Sequence, residues 1–249
     1  MSSALVICLD RNKLVEQEHG PPLTHLYEVE AVTCVKSWRE NAAWSGNIYA
    51  VQYSGREISD GTARRLLDLG TEIVTMDLPP IGRPFMDVVY ALAQAEAGVF
   101  VKQDRILYSD LDIRMKKSVP EAFLLPGSVM LYVYPQNRVR PEADSPEFVY
   151  RMRRGAQNGI PCHNTYFQAF DLGGNFQNTV YKTAFDPLYA DFFRDNVYFE
   201  QTDDDYFFEE GLYDYVCSVK KTGFNVIDLE CPADFFVHEH AHRLTNLGI

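Results

Sequence analysis

The sequence lacks any apolar run near the roughly 18 residues that a membrane helix needs. Its longest such stretches are short, for example residues 4–9 (ALVICL). Basic surface is also scarce. Asp and Glu number 35 against 23 Lys and Arg, a net charge of −12, and no basic stripe is present. That excludes the electrostatic footprint of a nucleic-acid partner. A single nucleotide stays compatible, because one cation and one arginine can offset a diphosphate locally. The cysteines, Cys8, Cys34, Cys162, Cys217 and Cys231, are scattered and odd in number. With no C-x-x-C pair, neither a zinc ribbon nor a thioredoxin-type site can be read, and reduced thiols of an intracellular protein are expected. Residues 1–3 are uncharged and the apolar run after them stops at Asp10, so no secretory leader is read and a cytoplasmic location is expected. No G-x-G-x-x-G and no P-loop occurs, which leaves a Rossmann dehydrogenase and a P-loop kinase unsupported. Nor is there an internal repeat, a low-complexity segment or a clean linker. One domain over residues 1–249 is expected, about 1–115 forming one half and about 116–249 the other.

What is present is an alternation. Residues 4–9, 48–53 (IYAVQY) and 72–76 are short apolar runs rich in β-branched residues, as in central strands covered on both faces. Between them, residues 27–44 carry Val29, Val32, Val35 and Trp38 on one helical side. Residues 60–68 follow a capping Ser59 or Asp60, and residues 84–97 open with a proline. Strand and helix in alternation mean a parallel sheet with crossover helices, an α/β fold. After residue 116 the rhythm changes. Strands are expected at 129–134, 165–172 and 224–229, partial helix over 175–195, a helix over 206–221, and a long loop or lid over 135–159. Residues 13–24, polar and holding Gly20-Pro21-Pro22, read as a loop.

The stretch 105–114 (RILYSDLDIR) closes the first alternation. Read as a strand over 106–112, it delivers Asp110 and Asp112 to one face, since side chains at i and i+2 point the same way. In open α/β sheets ligands bind at the carboxyl ends of the strands. Two carboxylates held together there repel each other unless a divalent cation lies between them. Asp-x-Asp also occurs as a solvated turn or a helix cap, so its position after the strand series is what singles it out.

With Ser109-Asp110-Leu111-Asp112 at the end of the fourth strand, the chain resembles the GT-A fold of nucleotide-sugar glycosyltransferases. The resemblance implies a mostly parallel central sheet flanked by helices, with a mixed C-terminal acceptor half after a nucleotide-binding first half. It implies transfer of a sugar from a nucleoside-diphosphate donor, such as a UDP-sugar, to a hydroxyl acceptor such as a glycan, with Mn²⁺ or Mg²⁺ as cofactor. Asp112 is then the direct metal ligand, Asp110 a ligand or a contact to ribose or metal-bound water, and a C-terminal histidine a further ligand, His238 before His240. Leu9-Asp10 and Asp77, at the ends of the first and third strands, are the expected base and ribose contacts. Arg83 suits ribose or phosphate, and Leu111 lies between the aspartates. Surface ion pairing explains the charged members of that set equally well. A sugar nucleotidyltransferase is the nearest alternative, although the Gly-rich, lysine-bearing loop typical of those enzymes is absent after Leu9. A non-catalytic nucleotide-sugar-binding module is another.

Glu209, Glu210 and Asp205 lie around the start of the helix expected at 206–221. Acidic residues there cap the helix dipole. In inverting members of the resembled fold, a carboxylate in this region removes the acceptor's proton. His163-Asn164-Thr165 and Asp171, around the 165–172 strand, are candidates for donor-sugar or acceptor contact. Tyr and Phe, 15 and 16 in number and crowded over 166–215, read mainly as core. The tail 238–242 (HEHAH) matches H-E-x-x-H, a zinc-peptidase signature. The residues after His242 (RLTNLGI) hold no His, Asp, Glu or Cys for a third ligand, and Phe235-Phe236-Val237 reads as strand or loop rather than the helix that chemistry needs.

Overall fold

A computed structural model describes residues 2–9, 24–83, 85–134, 144, 146–197, 208–220, 223–230 and 234–238. The first part alternates as expected: β1 (Ser3–Cys8), α1 (Thr24–Glu40), β2 (Asn47–Tyr53), α2 (Asp60–Asp68), β3 (Thr71–Met76), α3 (Met86–Glu96) and β4 (Arg105–Ser109). Then follow β5 (Ile113–Met115), β6 (Val129–Val133), α4 (Pro146–Asn158), β7 (His163–Asp171), α5 (Phe176–Thr183), α6 (Pro187–Asn196), α7 (Phe208–Tyr215), β8 (Val226–Glu230) and β9 (Phe236–His238). A single π-helical turn, Val216–Lys220, extends α7.

Among the described residues one sheet has the strand order β3-β2-β1-β4-β7-β6-β8, and β5 and β9 form a separate two-stranded ladder. Strands β1 to β4 pair in parallel and β6 pairs in parallel with β8. Among the described strands of that sheet only β7 runs against its neighbours, β4 and β6, while the separate β5–β9 ladder is antiparallel. Along β1, Ala4, Val6 and Cys8 face one core while Leu5, Ile7 and Leu9 face the other. Both faces of the strand are therefore dry, which is why its sequence is an unbroken apolar run. Full burial of each Leu, Ile or Val contributes about 1.5–3 kcal/mol. The first core lies under α3, α5, α6 and α7; the second lies under α1 and takes in Phe123, Phe235 and Phe236.

Two expectations are corrected. The strand read over 106–112 stops at Ser109, and residues 110–112 form a turn before β5. The loop or lid read over 135–159 contains a helix, α4, whose Val149 and Met152 are buried; residues 135–143 lie outside the described set. Its proline sits in the first turn, where the missing N–H costs nothing.

The join between α3 and α5 depends on one buried carboxylate. Asn175, the residue before α5, sits at φ +67° and its side chain caps nothing. Glu96 supplies the cap from α3, accepting from the backbone N–H groups of Phe176 (2.7 Å) and Asn178 (2.9 Å) and from the Asn178 side chain (3.1 Å). Removing it strands two donors at a helix start. Glu96→Ala is expected to lower unfolding free energy by about 3 kcal/mol in urea titration; a change below about 0.5 kcal/mol, the range of ordinary surface substitutions, would show that the cap carries no weight.

Candidate functional site

The carboxyl ends of β1 and β4, the amino end of β7 and the first turn of α7 meet at one edge of the sheet. Leu9 follows β1 and donates its N–H to the Val51 carbonyl (2.7 Å), but its side chain is core. Asp10 lies outside the described residues. At the end of β4, Asp110 starts a tight turn. Its carbonyl accepts from Ile113 N–H (3.3 Å) and the Ser109 hydroxyl (3.0 Å), and its own N–H donates across to the Tyr166 carbonyl of β7 (2.8 Å). The Tyr108 hydroxyl donates to the Asp110 carboxylate. Leu111 points into the core. Arg114, itself buried, ties the turn down by donating to the carbonyls of Leu111 and Ile113. Behind it Cys34 is enclosed, and burial pushes its thiol up to about 12, so it packs as an inert residue.

Asp110 and Asp112 are both half-buried, and one carboxylate oxygen of Asp112 is shielded from solvent. They belong to a turn rather than to alternate positions of a strand. The ladder of β5 with β9 pairs Ile113 with His238, so the His238 backbone runs directly alongside the residue after Asp112. His238 thus lies on a strand, where a zinc-peptidase signature needs helix; His240 and the rest of that tail lie outside the described residues. Among the described residues no three His, Cys, Asp or Glu side chains form a complete cage for a metal. Two carboxylates on one turn nevertheless fit Mg²⁺ or Mn²⁺, hard cations bound through one or two carboxylates with substrate phosphates completing the shell.

Opposite the aspartates, β7 is bulged. Met130 of β6 pairs with Ala169, yet Tyr132 pairs with Asn164, so the register shifts within the segment between them. The Asn164 side chain accepts from Tyr166 N–H (3.0 Å) and Gln168 donates to the Thr165 carbonyl (3.1 Å), fixing the irregular backbone. Bulges re-aim side chains, and here Thr165 turns its hydroxyl to donate to the Glu209 carboxylate on α7. One residue earlier, the Phe208 ring carries the Arg83 guanidinium 4.1 Å over its centroid. Arg83, Glu209, Thr165 and Asp110 are thereby linked along the same edge.

Three candidates lie elsewhere. Asp171 sits at the far end of β7, beside the start of β4, where it pairs with buried Arg105 (2.7 Å) and accepts from Gly127 N–H (2.6 Å); it is structural. Asp77 is exposed at the end of the outer strand β3, within reach of the Ser54 hydroxyl (3.4 Å) and about 14 Å from β4 by strand spacing. Glu210 faces away from Glu209, into a buried ion-pair cluster. Asp205 is outside the described residues.

No protein-family model matches the chain, and no curated protein matches it by sequence. Similarity to solved structures is clear. It extends over 93% of this chain and 86% of mouse xyloside xylosyltransferase 1, at 15% identity and a TM-score of 0.53. A galactosyltransferase (LgtC), solved with donor and acceptor sugar analogues, matches 90% of this chain and 72% of its own at 13% identity and TM-score 0.53. A nucleoside-diphosphate-sugar pyrophosphorylase from Vibrio cholerae matches 99% of this chain and all of its own, at 11% identity and TM-score 0.58. The chain has the GT-A fold.

The cluster that takes Glu210 was not legible in the sequence. Arg151 of α4 is enclosed. It donates through Nη1 to Glu210, through Nη2 (2.7 Å) and Nε (3.3 Å) to Asp214, and through Nη2 to the His163 carbonyl (3.0 Å). His163, also enclosed, places Nδ1 2.9 Å from Asp214 and Nε2 3.2 Å from Asp228 of β8. Both ring nitrogens face carboxylates, so the imidazole holds two protons. Burial opposes that charge, but the bonds to Asp214 and Asp228 lift His163 well above its ordinary value. Burial also opposes the charge of Asp214, yet Arg151 and His163 hold its carboxyl below the usual range. Burial pushes Glu210 up to about 8, with Arg151 pulling the other way. Arg151 and His163 thus close on Asp214 from two sides, and Glu210 is the carboxyl of the cluster that burial pushes up. The one sequence signal was the i, i+4 spacing of Glu210 and Asp214, which puts both on one helix face.

A carboxyl raised on folding stabilises the folded protein below its ordinary value, here 4.5, and that contribution is lost as pH climbs to about 8. Glu210→Gln cannot titrate. The stability of the parent protein is expected to fall relative to Glu210→Gln from pH 5 to 9 in thermal melts, and parallel curves would remove the raised carboxyl from the account.

Proposed function

We propose that this chain is a divalent-metal-dependent glycosyltransferase that moves a sugar from a nucleoside diphosphate, UDP-linked, to a hydroxyl acceptor. The observation that carries this is the turn holding Asp110 and Asp112 at the end of β4, beside the one reversed strand of a GT-A sheet. In this reading Asp110 and Asp112, with His238 as a further ligand, would hold Mn²⁺ or Mg²⁺, which would supply Lewis-acid stabilisation of charge on the leaving diphosphate. Arg83, an exposed residue whose guanidinium stacks on Phe208, offers its planar fork to phosphate oxygens. In a single displacement the acceptor oxygen bonds to the anomeric carbon, the bond from that carbon to the diphosphate breaks, and Glu209 takes the acceptor's proton. Glu209 is preferred to Glu210 because Arg151 occupies the Glu210 carboxyl, whereas Glu209 meets the Thr165 hydroxyl at the edge of the site.

A second reading has one observation in its favour: the likeness to the pyrophosphorylase spans that whole chain. Nucleotidyl transfer releases pyrophosphate from a nucleoside triphosphate, so a pyrophosphate assay with sugar phosphate separates the two activities.

The transferase reading is tested by thermal shift with nucleoside diphosphates, with and without Mn²⁺. A ligand at about 100 times its Kd stabilises by about 2.7 kcal/mol, and UDP is expected to raise Tm in the presence of Mn²⁺. Asp112→Asn should keep the fold and lose the metal-dependent part of the shift, together with donor hydrolysis. No shift with any nucleoside diphosphate, or full donor hydrolysis in Asp112→Asn, sinks the assignment.

A further inference from the structure

The cluster beneath α7 has a task that its charges alone do not explain. Successive residues on a helix diverge by about 100°, so Glu209 and Glu210 cannot serve the same neighbour. Glu210 and Asp214, one turn apart on a single face, both close on Arg151. Arg151 uses all three of its nitrogens, the remaining contact going to the His163 carbonyl at the start of β7. The same guanidinium therefore ties the helix that bears Glu209 to the strand that bears Thr165, two residues beyond His163. The opposite side of α7 is held as firmly. A Cβ on Gly211 would lie 2.8 Å from the Tyr189 hydroxyl and 3.2 Å from Val197, and that hydroxyl donates to the Phe208 carbonyl. Held between α4 and α6, the helix has one rotational setting, and in it Glu209 meets the Thr165 hydroxyl at the site edge.

We propose that Arg151 is a positioning residue for the transfer reaction: it fixes the rotation of α7 and the bulged start of β7 together, and so aims Glu209 at the acceptor hydroxyl. The proposal rests on the transferase reading of the site. Arg151 is enclosed, with all three nitrogens bonded to protein groups, which leaves none for donor or acceptor. It acts on the placement of the base, and a misplacement of about 1 Å is enough to cost on the order of 100-fold in rate. A helix held only for stability would tolerate any substitution that keeps the protein folded. An aiming device would not, because its output is an angle. Lysine keeps the charge but replaces a planar fork with a single point, which cannot span Glu210, Asp214 and the His163 carbonyl at once.

The test compares Arg151→Lys and Arg151→Met with the parent protein, with Mn²⁺ and the donor identified by thermal shift, at a temperature where all are folded. Expected is a kcat lower by about 100-fold in Arg151→Met and intermediate in Arg151→Lys, with donor Kd unchanged in both. The acid limb of kcat/KM should move to higher pH in Arg151→Met, because a buried cation near Glu209 is gone. It should stay in place in Arg151→Lys. If Arg151→Met does not fold, Arg151→Lys decides: parental kcat, or a loss shared in proportion by kcat and donor affinity, overturns the proposal. A parent protein that binds no nucleoside diphosphate and turns over no donor overturns the transferase reading and this proposal with it. An active parent with indifferent Arg151 variants overturns the proposal alone.

Discussion

The reversal of β7 is the constraint on which the site depends. In a wholly parallel sheet every strand's amino end lies at the far edge, away from the ligand side. Because β7 runs antiparallel between β4 and β6, its first residues instead arrive where β4 ends. The bond from Asp110 N–H to the Tyr166 carbonyl is the last rung of that pairing (2.8 Å). Beyond it the bulge turns Thr165 towards α7, and β4 gives way to the aspartate turn. One pairing thus sets the carboxylates of the turn and the carboxylate of α7 on two sides of the same edge. Asp171, in the same strand, is carried by the same geometry to the opposite edge, where it balances Arg105.

Charge burial near this edge follows a consistent rule. Enclosed ions cost several kcal/mol each unless paired and fully hydrogen-bonded. Arg151 and His163 are met by Asp214 and Asp228, and Glu210, the fifth group, is relieved of charge by burial. The buried ion-pair network and Glu209, itself buried, are joined through one helix that carries both.

How much of this could be read from the sequence depends on the range of the interaction involved. Strands buried on both faces announce themselves as apolar runs, so β1, β2 and β4 were legible, as was the aspartate pair behind β4. The end of β4 was not, because it is set by a turn closed through the Asp110 carbonyl and by Arg114 reaching back to the carbonyls of Leu111 and Ile113. Prolines and charges dominate residues 135–159 and mask helix α4, whose sequence signal is the apolar spacing of Phe148, Val149 and Met152. Arg151 lies in a basic run (RMRR) that looks like solvated surface, and nothing local tells which of its arginines is enclosed. The antiparallel sense of β7 is likewise a long-range fact, decided by partners far apart in sequence.

The fold is similar to both transferases and a pyrophosphorylase, so a choice between those chemistries has to come from side chains. Nucleotidyl transfer is attacked by a sugar phosphate whose oxygen is already ionised near pH 7, since the second phosphate ionisation lies near 6. Such a nucleophile needs no base, and a carboxylate beside its path repels it. A hydroxyl acceptor has the opposite requirement: it arrives neutral and must lose a proton as it attacks. Glu209 is fixed across the edge from the aspartate turn, where it accepts from the Thr165 hydroxyl. That arrangement suits a neutral acceptor and penalises an anionic one. In the proposed reading, the carboxylates of this edge would serve an acceptor that arrives neutral and must lose a proton.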